Sequence, residues 1–350
     1  MSIFNSHIDR MVPYKPPLEG RDPARFDLLD FNERTTPVSE LIVRDIVSWV
    51  ESGRLQMYPS YGDIEEKIAG YVGVDTDQIM ITNGSDQGID LIFRSMCTPG
   101  AEVIIPGPTF AMYLQCAQIE NAVIHSPQYA PENGYPLEEC LNLINDKTRV
   151  IVVANPNNPC ATSVSRERIV ALAKAAPNAA ILVDECYFEY TKITVTDLVE
   201  TFPNILVTRT FSKTWGMPSL RIGYVVASQE NIEALLKVRG PYDINQVAVV
   251  AVNSAFKHQE TIQAYIDEVM LVSKPRLEAY LDENAIFYWP SSANYIWVFF
   301  ENAQLMEEKL RNAGILVRPK TTADGKLGLR ITVGTLKQTE HLIAVLKARV

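Results

Sequence analysis

Histidine is scarce in this chain: His7, His125, His258 and His341 are the only four in 350 residues, and they lie far apart. A metal centre built on clustered imidazoles is therefore not expected. Cysteine is nearly as sparse. Cys97, Cys116, Cys140, Cys160 and Cys186 are odd in number and include no C-x-x-C pair. That excludes a disulfide framework and suits a reduced, cytoplasmic setting. No apolar run approaches the length of a membrane span, and the opening MSIFNSHIDRMVPYK lacks the apolar stretch of a signal peptide. Acidic residues outnumber basic ones, 42 to 32, for a net charge of −10. With no Lys/Arg cluster to offset that balance, a nucleic-acid face is not expected. Internal repeats and low-complexity segments are also missing.

What is plentiful is apolar sequence, 47% of the chain against 21% charged. That is enough for a sizeable core, and the length suits one large α/β domain with a smaller companion. Residues 1–35 are rich in proline and charge and read as an arm. An amphipathic helix is expected over 40–54, with Leu41, Ile42, Ile46 and Trp49 on its apolar side. Short apolar runs then alternate with helical segments. The runs fall at 79–82, 103–105, 123–124, 150–154, 181–183, 205–207 and 224–227. Several are continuous and β-branched, which is the pattern of strands covered on both faces in a mostly parallel sheet. Helices are expected at 87–95, 166–175 and 231–239. After Gly240-Pro241 the texture changes to long helical stretches (246–256, 260–284) and later strands at 295–300, 315–317 and 329–333. This predicts three parts: an arm (1–35), a large domain (36–240) and a small α+β domain (241–350) that the arm completes.

Ligands of open α/β sheets bind beyond the carboxyl ends of the strands, so the loops there carry the functional reading. Asn83-Gly84-Ser85-Asp86-Gln87 opens a helix, and its free N–H groups suit an anion, although an ordinary capped turn explains the same residues. Phe110 offers a flat apolar face to an aromatic ligand or to the core. Asn158, in Asn155-Pro-Asn-Asn-Pro159, offers an amide to a ligand oxygen or merely shapes a turn. Asp184 ends a buried run, where a carboxylate is costly without a cation or several donors. Lys213 sits in TRTFSKTWGMPSLRIGY with hydroxyls beside it and Arg221 eight residues on. No single loop decides. Together they ask for a ligand with a phosphate, an aromatic ring bearing a protonatable nitrogen, a phenolic oxygen and an aldehyde, which is the chemistry of pyridoxal 5′-phosphate.

The motifs SKTWGxxxLRIGY, NPNNP, DExY and LRITVGT, with MYPSYG and ITNGSDQGIDL before them, resemble the fold-type I pyridoxal-phosphate aminotransferases along essentially the whole chain. The closer likeness is to the histidinol-phosphate aminotransferases. That resemblance implies a mostly parallel seven-stranded large domain with a smaller α+β C-terminal domain. It implies that Lys213 holds the cofactor as a Schiff base, that Asp184 pairs with the ring nitrogen, and that Tyr187 and Asn158 contact the ring's 3′-oxygen. Phe110 would stack on the ring where the family usually has Tyr. Gly84, Ser85, Asp86, Thr210, Ser212 and Arg221 would surround the cofactor phosphate. Tyr58 would reach the cofactor of a neighbouring subunit, which requires a homodimer with shared sites. Arg330, with Arg318, would grip the anionic end of a small-molecule amine donor or 2-oxo acid. The implied reaction interconverts L-histidinol phosphate and 2-oxoglutarate with imidazole acetol phosphate and L-glutamate, a step of histidine biosynthesis. Aromatic amino acid transamination and phosphothreonine-type decarboxylation are the alternatives on the same scaffold. Two departures stand out: Asn158-Pro-Cys-Ala161 replaces the usual NPTG, and Asn32-Glu-Arg-Thr35 replaces the usual NENP near the substrate.

Overall fold

The computed structural model describes residues 3–348. The chain enters through a short helix, Ser6–Asp9, and a two-residue strand, β1 (Asp27–Leu28). The apolar runs expected as strands then become β2 (Ile79–Thr82), β3 (Glu102–Ile104), β4 (Val123–His125), β5 (Thr148–Ala154), β6 (Ala180–Asp184), β7 (Ile205–Thr210) and β8 (Gly223–Val226). They form one seven-stranded sheet in the order β2-β8-β7-β6-β5-β3-β4. Neighbours are parallel except at β8, which runs antiparallel to both β2 and β7.

Every residue of β2, β6, β7 and β8 is buried, so these strands carry no polar face. Alternate side chains enter two cores, as the period of two requires. Ile151, Val153, Ile181 and Val183 join one core with Ile169 and Leu172 of helix Arg166–Ala175. Val150, Val152 and Leu182 join the other with Ile89, Ile92 and Phe93 of helix Gly84–Met96. Both faces are therefore covered by helices, and function is left to the strand ends.

The C-terminal part is a four-stranded antiparallel sheet, β12-β13-β10-β9. Its strands are β9 (Phe287–Tyr288), β10 (Tyr295–Phe299), β12 (Arg318–Thr321) and β13 (Leu327–Thr332). A further strand, β11 (Ile315–Leu316), pairs in parallel with β1, and Thr332 N donates to the Leu29 carbonyl at 2.9 Å. The arm is thus stitched to the C-terminal sheet just before its residues 30–33 reach the large sheet's strand ends.

Three expectations need correction. Helix Glu40–Glu51 buries Ile42, but Leu41 is 42% exposed, so the buried stripe is narrower than the apolar pattern suggests. Helix Gln246–Lys257, beyond the expected break at 240, packs on that same N-terminal helix. The single helix expected over 260–284 is broken into Glu260–Asp267, a π-helical turn Glu268–Ser273, and Lys274–Glu283. Pro275 enters at the start of the last piece, where its missing N–H is tolerated and the ladder can be reset.

Candidate active site

The ends of β2, β5, β6 and β7 converge on one cleft. Its walls include Ser85, Asp86, Phe110, Asn158, Asp184, Tyr187, Thr210, Ser212, Lys213 and Arg221, so the structure gathers ten of the predicted residues in one place.

Asp184 ends β6 and is 3% exposed. Its Oδ2 accepts the Tyr113 hydroxyl at 2.6 Å and its Oδ1 accepts Cys186 N at 3.1 Å. No cation of the described residues pairs with it. Burial raises its carboxyl above the ordinary range, opposed by the Tyr113 bond. Arg209 of β7 pairs not with Asp184 but with Glu185 at 2.8 Å, and stacks on Phe188 at 3.6 Å. That buried ion pair braces the ends of β6 and β7 behind the cleft.

Lys213 follows β7 in a tight loop. Its Nζ donates to the Phe31 carbonyl at 3.0 Å, and burial lowers its amine below the ordinary value. Tyr187 is buried with its ring 5.1 Å from Tyr295, and its hydroxyl accepts Asn32 Nδ2 at 3.0 Å. Asn32 also donates its backbone N–H to Thr332 Oγ1 at 3.0 Å and has a left-handed φ of 55°.

At the other end lies the start of helix Gly84–Met96. Asn83 does not cap it; its amide donates instead to the Asp243 carbonyl at 2.7 Å. The first N–H groups therefore remain available to an anion. Arg221 Nη2 donates to Asp86 Oδ2 at 2.9 Å, and Thr210 Oγ1 donates to Ser212 Oγ at 3.0 Å. Gly84 has a φ of +70°, and a Cβ there would lie 2.5 Å from Arg221 Nη2. Only glycine lets the guanidinium and the helix start close on the same point.

Phe110 borders the cleft edge-on to Tyr113, ring centroids 5.8 Å apart. Asn158 turns its Oδ1 to Arg330 Nη1 at 2.6 Å. Arg330 is 5% exposed, also donates to the Asp30 carbonyl, and leaves its Nε without a partner among the described residues. Neither Arg330 nor Arg318 is on the cleft wall; the Arg318 guanidinium lies over the Phe31 ring at 5.3 Å. Tyr58 is 79% exposed, stacked on Tyr242 at 4.5 Å, and does not line this chain's own cleft.

A carboxylate in need of a cation, a depressed amine and an anion cradle fit pyridoxal 5′-phosphate. A model of the aminotransferase class I and II family matches residues 29–346. The chain belongs to this family. Histidinol-phosphate aminotransferase 2 of Bacillus cereus is 33% identical over 363 residues, covering 97% of this chain and 94% of that protein. Histidinol-phosphate aminotransferase of a Thermoanaerobacter species is 30% identical, covering 93% of each. Among solved structures, histidinol-phosphate aminotransferase from Sinorhizobium meliloti, in complex with pyridoxal-5′-phosphate, matches with a TM-score of 0.88 at 22% identity, over 99% of this chain and 97% of that one. L-threonine-O-3-phosphate decarboxylase from Porphyromonas gingivalis matches at 0.78 and 20%, over 91% and 98%. At those identities the solved structures speak for the aminotransferase fold alone.

Three residues at this aminotransferase's cleft escaped the sequence reading. Tyr113 sits one turn beyond Phe110, in helix Ala111–Ile119, and that spacing could have pointed to it. Cys186 lies inside the DExY motif. Asn32 opens the Asn32-Glu-Arg-Thr35 segment already placed near the substrate, though its contact with Tyr187 was not foreseen, and no local pattern marks the Phe31 carbonyl. Among the described residues, no group of three His, Cys, Asp or Glu converges as a metal site, and no helix is long and apolar enough to cross a membrane.

Proposed function

We propose that this aminotransferase uses pyridoxal 5′-phosphate to interconvert L-histidinol phosphate and 2-oxoglutarate with imidazole acetol phosphate and L-glutamate. One observation carries the reading: Arg330, buried and with its Nε unpaired, donates to Asn158, which lines the cleft that holds Lys213 and Asp184. An anion-ended substrate can be anchored there while its amine faces the lysine. The names of the curated relatives supply the same substrate.

Pyridoxal 5′-phosphate, when bound, supplies an electron-accepting ring that tolerates the charge left as the substrate α-proton departs. Asp184 would keep a proton on the ring nitrogen, because that restores the cation its burial lacks. Tyr187 and Asn158 would orient the ring's phenolic oxygen, and Phe110 would cover one ring face. Gly84, Ser85, Asp86, Thr210, Ser212 and Arg221 would hold the phosphate. Lys213, whose burial favours the neutral amine, would carry the cofactor and move the α-proton. Arg330 and Arg318 would grip a phosphate or a carboxylate with their planar forks.

The active unit in this reading is a cytoplasmic homodimer. Helix Glu40–Glu51 exposes Leu41, Val43, Val47 and Val50, and Met57 and Tyr58 follow on the surface. A second copy would cover that apolar row and receive Tyr58 in its own site. Residues 36–240, joined by helix Gln246–Lys257, would be the cofactor-holding unit, with the arm working alongside the C-terminal sheet.

The test is a comparison of turnover with L-histidinol phosphate, phenylalanine and phosphothreonine as donors. Histidinol phosphate is expected to give the highest kcat/KM, and Lys213→Ala to abolish transamination. A wide margin in favour of phenylalanine, or full activity without Lys213, refutes the reading.

A further inference from the structure

Three cations share one face of the C-terminal sheet. Arg318 and Arg330 are register partners across β12 and β13, and Lys320 follows Arg318 by two residues, opposite Gly328. Alternation along the strand puts Arg318 and Lys320 on the same side, and both are half-buried while Pro319 and Thr321 are exposed. Among the described residues, none of the three pairs with a carboxylate. Arg330 donates to the Asn158 amide oxygen and the Asp30 carbonyl, Arg318 lies over Phe31, and Lys320 has no partner. The adjacent carboxylates of Asp30 and Glu33 are held by Arg21 at 2.9 and 2.5 Å.

The same row carries two buried donors without acceptors, Arg330 Nε and Trp297 Nε1, and Trp297 is the register partner of Arg330 on β10. Gathering like charges and unpaired donors under cover is unfavourable unless an anion belongs there. Burial, and then the charges of Arg330 and Arg318, bring the Lys320 amine down to about 8, as befits a cation short of its anion. A carboxylate brings one charge and two oxygens. A phosphate monoester brings close to two charges and three acceptor oxygens at neutral pH.

We propose that Lys320 is a specificity-determining residue. With Arg318 and Arg330 it completes a three-cation pocket that selects a phosphate monoester dianion over a carboxylate. Two arginines serve either anion, and the third charge tells them apart. The inference rests on the function proposed above, because it refines the substrate site assigned there.

The test uses the holoenzyme. Calorimetry measures its affinity for methyl phosphate and for acetate, neither of which carries an amine, and steady-state assays give KM and kcat for histidinol phosphate and glutamate. Lys320→Gln is expected to weaken methyl phosphate binding, and to raise KM for histidinol phosphate, by about tenfold, as loss of one partly buried charge facing a dianion implies. Acetate affinity and glutamate KM should move by less than about threefold, and Lys320→Arg should keep phosphate affinity within about threefold of wild type. An equal loss for both anions, or no loss for phosphate, overturns the proposal. Lys320-dependent phosphate binding without turnover of histidinol phosphate would uphold the pocket and reject the substrate. Turnover of histidinol phosphate that Lys320→Gln leaves unchanged would do the reverse.

Discussion

The Tyr113 hydroxyl donates to Asp184 Oδ2 at 2.6 Å, joining helix Ala111–Ile119 to the end of β6. The bond stabilises the ionised carboxylate that burial opposes. Tyr113→Phe removes it without changing the packed volume. Cofactor affinity, measured by equilibrium dialysis of pyridoxal 5′-phosphate, is expected to fall by about tenfold, the worth of one hydrogen bond to a charged group. Unchanged affinity would mean that the tyrosine does not support the carboxylate.

Asp184 also sets a pH-dependent term in the cofactor-free protein. Burial raises its carboxyl above the ordinary 3.8. Between that value and the raised one, the folded protein holds a proton that the unfolded chain has released. Stability falls as pH rises through that window and stays lower above it. Asp184→Asn deletes the term. In urea unfolding without cofactor, the variant should gain on wild type as pH goes from about 4 to 7. Midpoints that run parallel over that range would show no such term.

Gly84→Ala forces a left-handed φ on a residue with a Cβ and drives that Cβ against Arg221. Folding stability should drop by about 1–2 kcal/mol. Cofactor retention during gel filtration should drop with it. Retention at the wild-type level would show that the helix start and Arg221 do not jointly hold the phosphate.

Tyr58 lies outside its own chain's cleft, so its contribution should be made across a dimer. Tyr58→Ala and Lys213→Ala homodimers should both be impaired. Mixed dimers should regain part of one site's activity, because one of their two clefts has both residues intact. Heterodimers of proven composition that stay inactive would argue against sharing.

The strands were readable because burial on both faces leaves continuous β-branched runs, as in Val150-Ile-Val-Val153. Asp184 was readable because it directly follows such a run, and Asn158 and Lys213 because they sit in the short loops after such runs. The antiparallel course of β8 was not, since a fully buried strand has the same composition in either direction. Nor was the break at Glu268–Ser273, where the helical period continues across the interruption.

The sequence by itself determined the sheet's apolar strands, the loops that end them and the chemistry those loops present, because these depend on residues close in the chain. Tertiary structure decided which partners those residues meet. Asn32 reaches Tyr187 across 155 positions and Arg330 reaches Asn158 across 172. Such contacts form only when the arm and the C-terminal sheet dock on the strand ends, and docking is governed by packing and buried hydrogen bonds that leave no periodic trace in the chain.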